Sequence, residues 1–100
     1  MKAIWKDKIV AESVQDDLVN IEGNWYFPPS SVNLKLLRKS DTPYTCPWKG
    51  ACQFFDVGEG EDWSEDNAWC YPEPMASAVQ RVGREFAGYI AFYGNVKITD

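Results

Sequence analysis

Short apolar runs broken by turn residues set the pattern of the first third of the chain. Ile9-Val10-Ala11-Glu12-Ser13, Leu18-Val19-Asn20-Ile21 and Trp25-Tyr26-Phe27 have the length and the β-branched or aromatic content of strands, and Glu22-Gly23-Asn24 has the chemistry of a turn. The pattern predicts an N-terminal antiparallel meander. Pro28-Pro29 ends the third strand, because proline donates nothing to a ladder, and Ser30 or Ser31 is placed to cap a short helical turn reaching Val32. Leu34, Leu36 and Leu37 are expected to continue into the core.

Strand composition returns between Lys49 and Val57, centred on Cys52-Gln53-Phe54-Phe55, and again in Asn67-Ala68-Trp69-Cys70-Tyr71. Between them lies an acidic stretch that carries Asp56, Glu59, Glu61, Asp62, Glu65 and Asp66 and reads as a solvated hairpin loop. After Pro72-Glu73-Pro74 the period changes. Met75, Val79, Val82 and Phe86 recur at helical spacing while Gln80, Arg81, Arg84 and Glu85 take the other face, which predicts one amphipathic helix over the sheet. Gly88 to Tyr93, the Gly94-Asn95 turn and Val96-Lys97-Ile98 predict a closing hairpin. The expected fold class is mainly β with one short amphipathic helix, a minor α+β arrangement in a single domain over residues 1–100.

Composition narrows the chemistry. The five Trp, five Tyr and five Phe in 100 residues supply enough large buried area that a core needs no disulfide or metal. A net charge of -5 argues against a nucleic-acid partner, since phosphate-backbone binding relies on clustered Lys and Arg. No segment approaches the roughly 18 apolar residues of a membrane span, and the start Met1-Lys2-Ala3-Ile4-Trp5 has no signal-length apolar run, so no membrane partner and a cytoplasmic location are expected. Three cysteines without a Cys-x-x-Cys pair fit reduced thiols. Histidine is absent, which removes Ser-His-Asp and Cys-His catalysis and the commonest zinc sites.

Candidate chemistry concentrates in Ser40-Asp41-Thr42-Pro43-Tyr44-Thr45-Cys46-Pro47-Trp48-Lys49-Gly50, which reads as a rigid polar loop leading into a strand. Cys46 and Lys49 are three apart, so a loop that turns back brings an ammonium toward a thiol and raises its thiolate fraction. The ordinary alternative is a buried Cys46 and a surface Lys49. Cys52 and Cys70 fall in strand patterns and are expected in the core, and with no paired knuckles in their spacing no metal site is expected. Acidic pairs such as Asp16-Asp17 and Glu61-Asp62 lie in predicted turns, where they are common without binding a cation. Gly58-Glu59-Gly60 lacks the third glycine and the following helix of a phosphate loop. Tyr26, Trp48, Trp69, Tyr71, Tyr89 and Phe92 are the aromatics placed to line a flat pocket, with core packing as their alternative role.

Five motifs in order, Tyr26-Phe27-Pro28, Ser40-Asp41-Thr42, Thr45-Cys46-Pro47-x-Lys49-Gly50, Ala68-Trp69-x-Tyr71-Pro72-x-Pro74 and Gly88-Tyr89-x-Ala91-Phe92-Tyr93, resemble the signature of the DUF427 family across nearly the whole chain. The resemblance implies a β-rich domain with bent sheets like those of the Mss4-like, or β-tent, architecture, here without its zinc knuckles. Cys70, where a serine is more usual in the family, and a longer helix between Pro74 and Gly88 are departures that touch packing. The family has also carried a nucleotidyltransferase-like label, but neither the carboxylate pair that holds Mg²⁺ nor a phosphate loop is visible.

These readings converge on a small-molecule ligand held in an aromatic cleft by Tyr26, Thr45, Lys49, Trp69, Tyr71 and Phe92, with Lys49 pairing an anionic group and no cofactor expected. One alternative is a cysteine-dependent enzyme with Cys46 as nucleophile activated by Lys49. Another is an interaction domain that displays its acidic stretch to a basic partner.

Overall fold

A computed structural model describes all residues 1–100 as antiparallel β-sheets with one short helix. The strands are β1 (Lys2–Trp5), β2 (Lys8–Glu12), β3 (Val19–Ile21), β4 (Asn24–Tyr26), β5 (Leu37–Cys46), β6 (Gly50–Glu59), β7 (Asp62–Cys70), β8 (Ile90–Phe92) and β9 (Val96–Thr99), and the helix is α1 (Ala76–Val82). They form three sheets, ordered β2-β1-β9, β3-β4 and β5-β6-β7-β8.

The largest sheet organises the molecule, and its side-chain alternation separates two cores. Val57, Ala68, Cys70, Ile90 and Phe92 point to one face, where they meet Trp5, Val10, Phe27 and Val96. Cys46, Trp69, Tyr71 and Ala91 point to the other, where they meet Val19, Ile21, Tyr26, Ala78 and Phe86. A strand's period of two forces this division, since each successive residue changes sides. The β3-β4 hairpin joins the free edge of β8 through a reciprocal pair of bonds, Phe27 N–H to the Ile90 carbonyl and Ile90 N–H to the Phe27 carbonyl, both 2.8 Å. That docking brings Tyr26 to the second core.

Ser40 to Gly50 is not a loop. Leu37–Cys46 is a ten-residue edge strand, and only Pro47, Trp48 and Lys49 turn before β6 begins. Pro43 is tolerated because an edge strand has one unpaired side, and the register shifts between Lys39 and Pro43. The Gln53 amide fills that irregularity by donating to the Ser40 carbonyl at 3.0 Å. Register shifts again between Phe55 and Val57, so both long ladders are bulged. The acidic stretch is likewise mostly strand, with a tight turn at Gly60 and Glu61. Gly58 is required there: a Cβ would lie 2.1 Å from the Asp62 carbonyl oxygen.

Three further expectations change. The first strands do not form one meander, because β2 pairs with the unanticipated β1 while β3 pairs only with β4. The last strands do not form a hairpin, because β8 pairs with β7 and β9 pairs with β1. Asn67 fixes this crossing: its side-chain oxygen accepts from the Asn95 N–H at 2.7 Å, and its carbonyl accepts from the Tyr93 N–H at 3.0 Å. The helix is shorter than its apolar period, ending at Gly83 in the left-handed region, φ 85°, so Phe86 enters the core from the following turn. Met75 is exposed and Ala78 takes the buried position, and Leu34 is exposed where Leu36 is buried.

Candidate functional site

On the second-core face a cavity of about 400 Å³ is lined by Asn24, Tyr26, Tyr44, Lys49, Cys52, Phe54, Trp69, Tyr71 and Tyr93. Its floor is β6 and β7, its walls are the edge strand β5 and the docked β3-β4 hairpin, and Tyr93 follows β8. Tyr44 stands opposite Cys52 in the β5-β6 register, and its ring lies 6.4 Å from that of Phe54. Trp69 meets Tyr93 at 5.5 Å and Tyr26 at 6.1 Å, both edge-to-face. Aromatic edges and faces thus border most of the space.

Polar groups enter at a few points. The Trp69 indole N–H donates to the Tyr26 hydroxyl oxygen at 3.0 Å, which leaves the Tyr26 proton uncommitted. Tyr71 is 3% exposed, and its hydroxyl joins none of the protein's hydrogen bonds. Burial raises the pKa of both phenols, so both remain protonated donors at neutral pH. Burial also pushes the Cys52 thiol up to about 11, which keeps it neutral.

Lys49 is the one cation of the lining and is 6% exposed. It is placed by the tight turn into Gly50, whose φ of 115° disfavours any side chain, and its carbonyl accepts from the Met75 N–H at 2.9 Å. Its Nζ lies 5.0 Å from the Tyr71 ring centre and 5.1 Å from that of Trp48. Arg81 stacks on the same indole at 4.4 Å. The ammonium is ion-paired with Glu22 on the β3-β4 turn. Burial by itself lowers the Lys49 pKa, but the Glu22 carboxylate, together with the nearby Tyr26 and Cys46, more than offsets it and holds the pKa above the ordinary lysine value. The same bond holds Glu22 below the ordinary carboxylate value.

The residues expected at the site are thus divided. Tyr26, Lys49, Trp69 and Tyr71 share the cavity, and Thr45 and Phe92 do not. Thr45 is exposed opposite Ala51, and Phe92 packs against Phe27 in the first core at 5.7 Å. Each lies one residue from a lining position, Tyr44 and Tyr93, so strand parity sends its side chain to the opposite face. Trp48 and Tyr89 pack at the margin of the second core. Alternation around Phe54 identifies Cys52 and Phe54 as sharing one face, a signal present in the sequence.

The three cysteines occupy three environments: Cys46 buried in the second core, Cys70 in the first, and Cys52 in the cavity wall. Cys46 is not among the lining residues, and the Lys49 ammonium is taken by Glu22. The acidic stretch is also largely engaged. Asp56 pairs with Arg38 at 2.8 Å, Glu59 with Lys8 at 2.8 Å, Asp62 with Lys6, and Asp66 accepts from Thr42 at 2.7 Å. Only Glu61 and Glu65 of that stretch lack a side-chain partner.

Comparison with family models matches residues 1–99 to the domain of unknown function DUF427. The chain belongs to that family. Comparison with curated proteins returns no match.

Proposed function

We propose that this DUF427 chain binds a small planar ligand in the cavity on the second-core face, with the rings of Tyr26, Trp69 and Tyr71 against the ligand and Lys49 directed to an acidic group on it. The observation that carries the reading is the Tyr71 hydroxyl, on a side chain 3% exposed and without a partner in the protein, at a cavity lined mostly by aromatic rings. A ligand acceptor placed against that hydroxyl supplies the partner the protein does not, a net gain of about 0.5–1.5 kcal/mol. A cavity of about 400 Å³ lies in the range of small-molecule sites and suits one or two fused rings.

Equilibrium binding of 2-naphthoate and 1-naphthyl phosphate, followed by tryptophan emission, tests the assignment. Lys49→Ala and Trp69→Ala are each expected to weaken binding about tenfold or more, a change of roughly 1.4 kcal/mol. Unchanged affinities in both variants would remove it. The cysteine-enzyme reading has less support, because Cys46 is packed away from the cavity that holds Lys49. The bulges in β5, β6 and β7 support a bent sheet of the β-tent kind.

A further inference from the structure

The cavity's polar groups are lopsided. Lys49, the free proton of Tyr26 and the unpartnered hydroxyl of Tyr71 all donate, the Asn24 amide brings the one side-chain carbonyl, and no Asp or Glu lines the space. A matching head group must accept several bonds. A carboxylate does so with two oxygens and about four lone-pair sites, and its charge answers Lys49, whereas a neutral amide brings no charge and adds two donors of its own.

Lys49 already has a carboxylate, and that carboxylate is outside the cavity. Its side chain is 7% exposed while that of Glu22 is 56% exposed, on a turn where Glu22 has φ 55° and Gly23 has φ 86°. The cation is fixed in the protein and the anion faces water. We propose that Glu22 is an internal counter-anion occupying the place of the ligand's acid: an aromatic monocarboxylate enters by exchanging with Glu22 on Lys49, and Glu22 thereby determines the selectivity of the cleft. This rests on the cleft being a ligand site.

Exchange leaves no charge stranded. The buried ammonium keeps a carboxylate at every stage, since the ligand's replaces Glu22's, and Glu22 returns to solvent beside Arg81. A buried cation that lost its partner outright would be strongly destabilised. A neutral planar molecule can enter beside the rings without displacing Glu22. A tethered carboxylate competes at an effective concentration roughly in the millimolar range, so an acid binds only when its ring contacts add enough to win the exchange.

The experiment compares 2-naphthoate with 2-naphthamide on the wild-type chain, Glu22→Gln and Glu22→Asp, by titration of tryptophan emission. Glu22→Gln removes the competing charge, while Glu22→Asp keeps the charge on a shorter arm, which separates local competition from a change in net charge. Naphthoate is expected to bind both variants about tenfold tighter than wild type, with the amide within about twofold across all three. If both probes bind and neither variant tightens naphthoate, Glu22 is not a competing anion and the inference falls while the cleft reading stands. If tightening occurs in Glu22→Gln alone, the effect is one of net charge and the inference falls likewise. If neither probe binds any of the three chains, the cleft reading itself fails and takes the inference with it.

Discussion

The Trp69 indole N–H donates to the phenol oxygen of Tyr26 at 3.0 Å, joining β7 to the β3-β4 hairpin across 43 positions of sequence. This bond helps hold the wall of the cavity on its floor, beside the Phe27 and Ile90 backbone pair, the Glu22–Lys49 ion pair and the packing of Val19 and Ile21 in the second core. Tyr26→Phe keeps the ring and removes the acceptor. It is expected to cost about 1 kcal/mol, a fall of about 4–8 °C in Tm for a chain of this size, with a change in the Trp69 emission spectrum. An unchanged Tm and spectrum would show that this bond adds nothing to the docking of the hairpin.

Cys52 provides a reporter inside the cavity. Its thiol is pushed up to about 11 by burial, from an ordinary value of 9.0, so its thiolate fraction at neutral pH is about a hundredfold below that of an ordinary cysteine. The pKa is raised, so reactivity must increase as pH rises toward 11. Alkylation by iodoacetamide, read per cysteine by mass spectrometry, is expected to stay slow at pH 8 and to climb about tenfold per pH unit above it. A half-maximal rate below pH 9 would contradict the buried, neutral thiol.

The Asp56 carboxylate ties β5 to β6 and β7 by accepting from Arg38 Nε at 2.8 Å and from the Asp66 N–H at 3.0 Å. Burial raises its pKa, but these two bonds outweigh burial and leave it below the ordinary carboxylate value. A carboxyl lower in the folded than in the unfolded state stabilises above the unfolded pKa and loses that contribution as pH falls through the folded one. Asp56→Asn is therefore expected to cost about 2 kcal/mol at pH 7 and distinctly less at pH 3, measured by urea denaturation. An equal cost at both values would show that the pair adds nothing dependent on charge.

Period-two alternation made the strand content readable, and with it the residue types of the cavity. Tyr26, Trp69 and Tyr71 stand out as aromatics at turns and strand ends, and Lys49 as a cation beside a proline turn. Which face each strand residue takes was legible only within a strand whose register is known. Phe92 and Thr45 lie outside the cavity for that reason, each one position from the residue that reaches it. Pairing partners were hidden more deeply. The Gly94-Asn95 dipeptide has the chemistry of a hairpin turn, yet the Asn67 side chain redirects it between sheets, a contact 28 residues away. Glu22 gave no sequence signal at all, since a glutamate beside a turn glycine is ordinary until Lys49 folds onto it.

The most direct test of the cleft is a two-dimensional NMR titration of ¹⁵N-labelled protein with 2-naphthoate. Binding in the cavity predicts shift changes confined to the amides of Asn24, Tyr26, Lys49, Cys52, Trp69 and Tyr71, together with the Trp69 indole N–H as its bond to Tyr26 adjusts. Changes centred on the Glu59 to Asp62 turn or on the β2-β1-β9 sheet, with the Trp69 indole unmoved, would contradict the account.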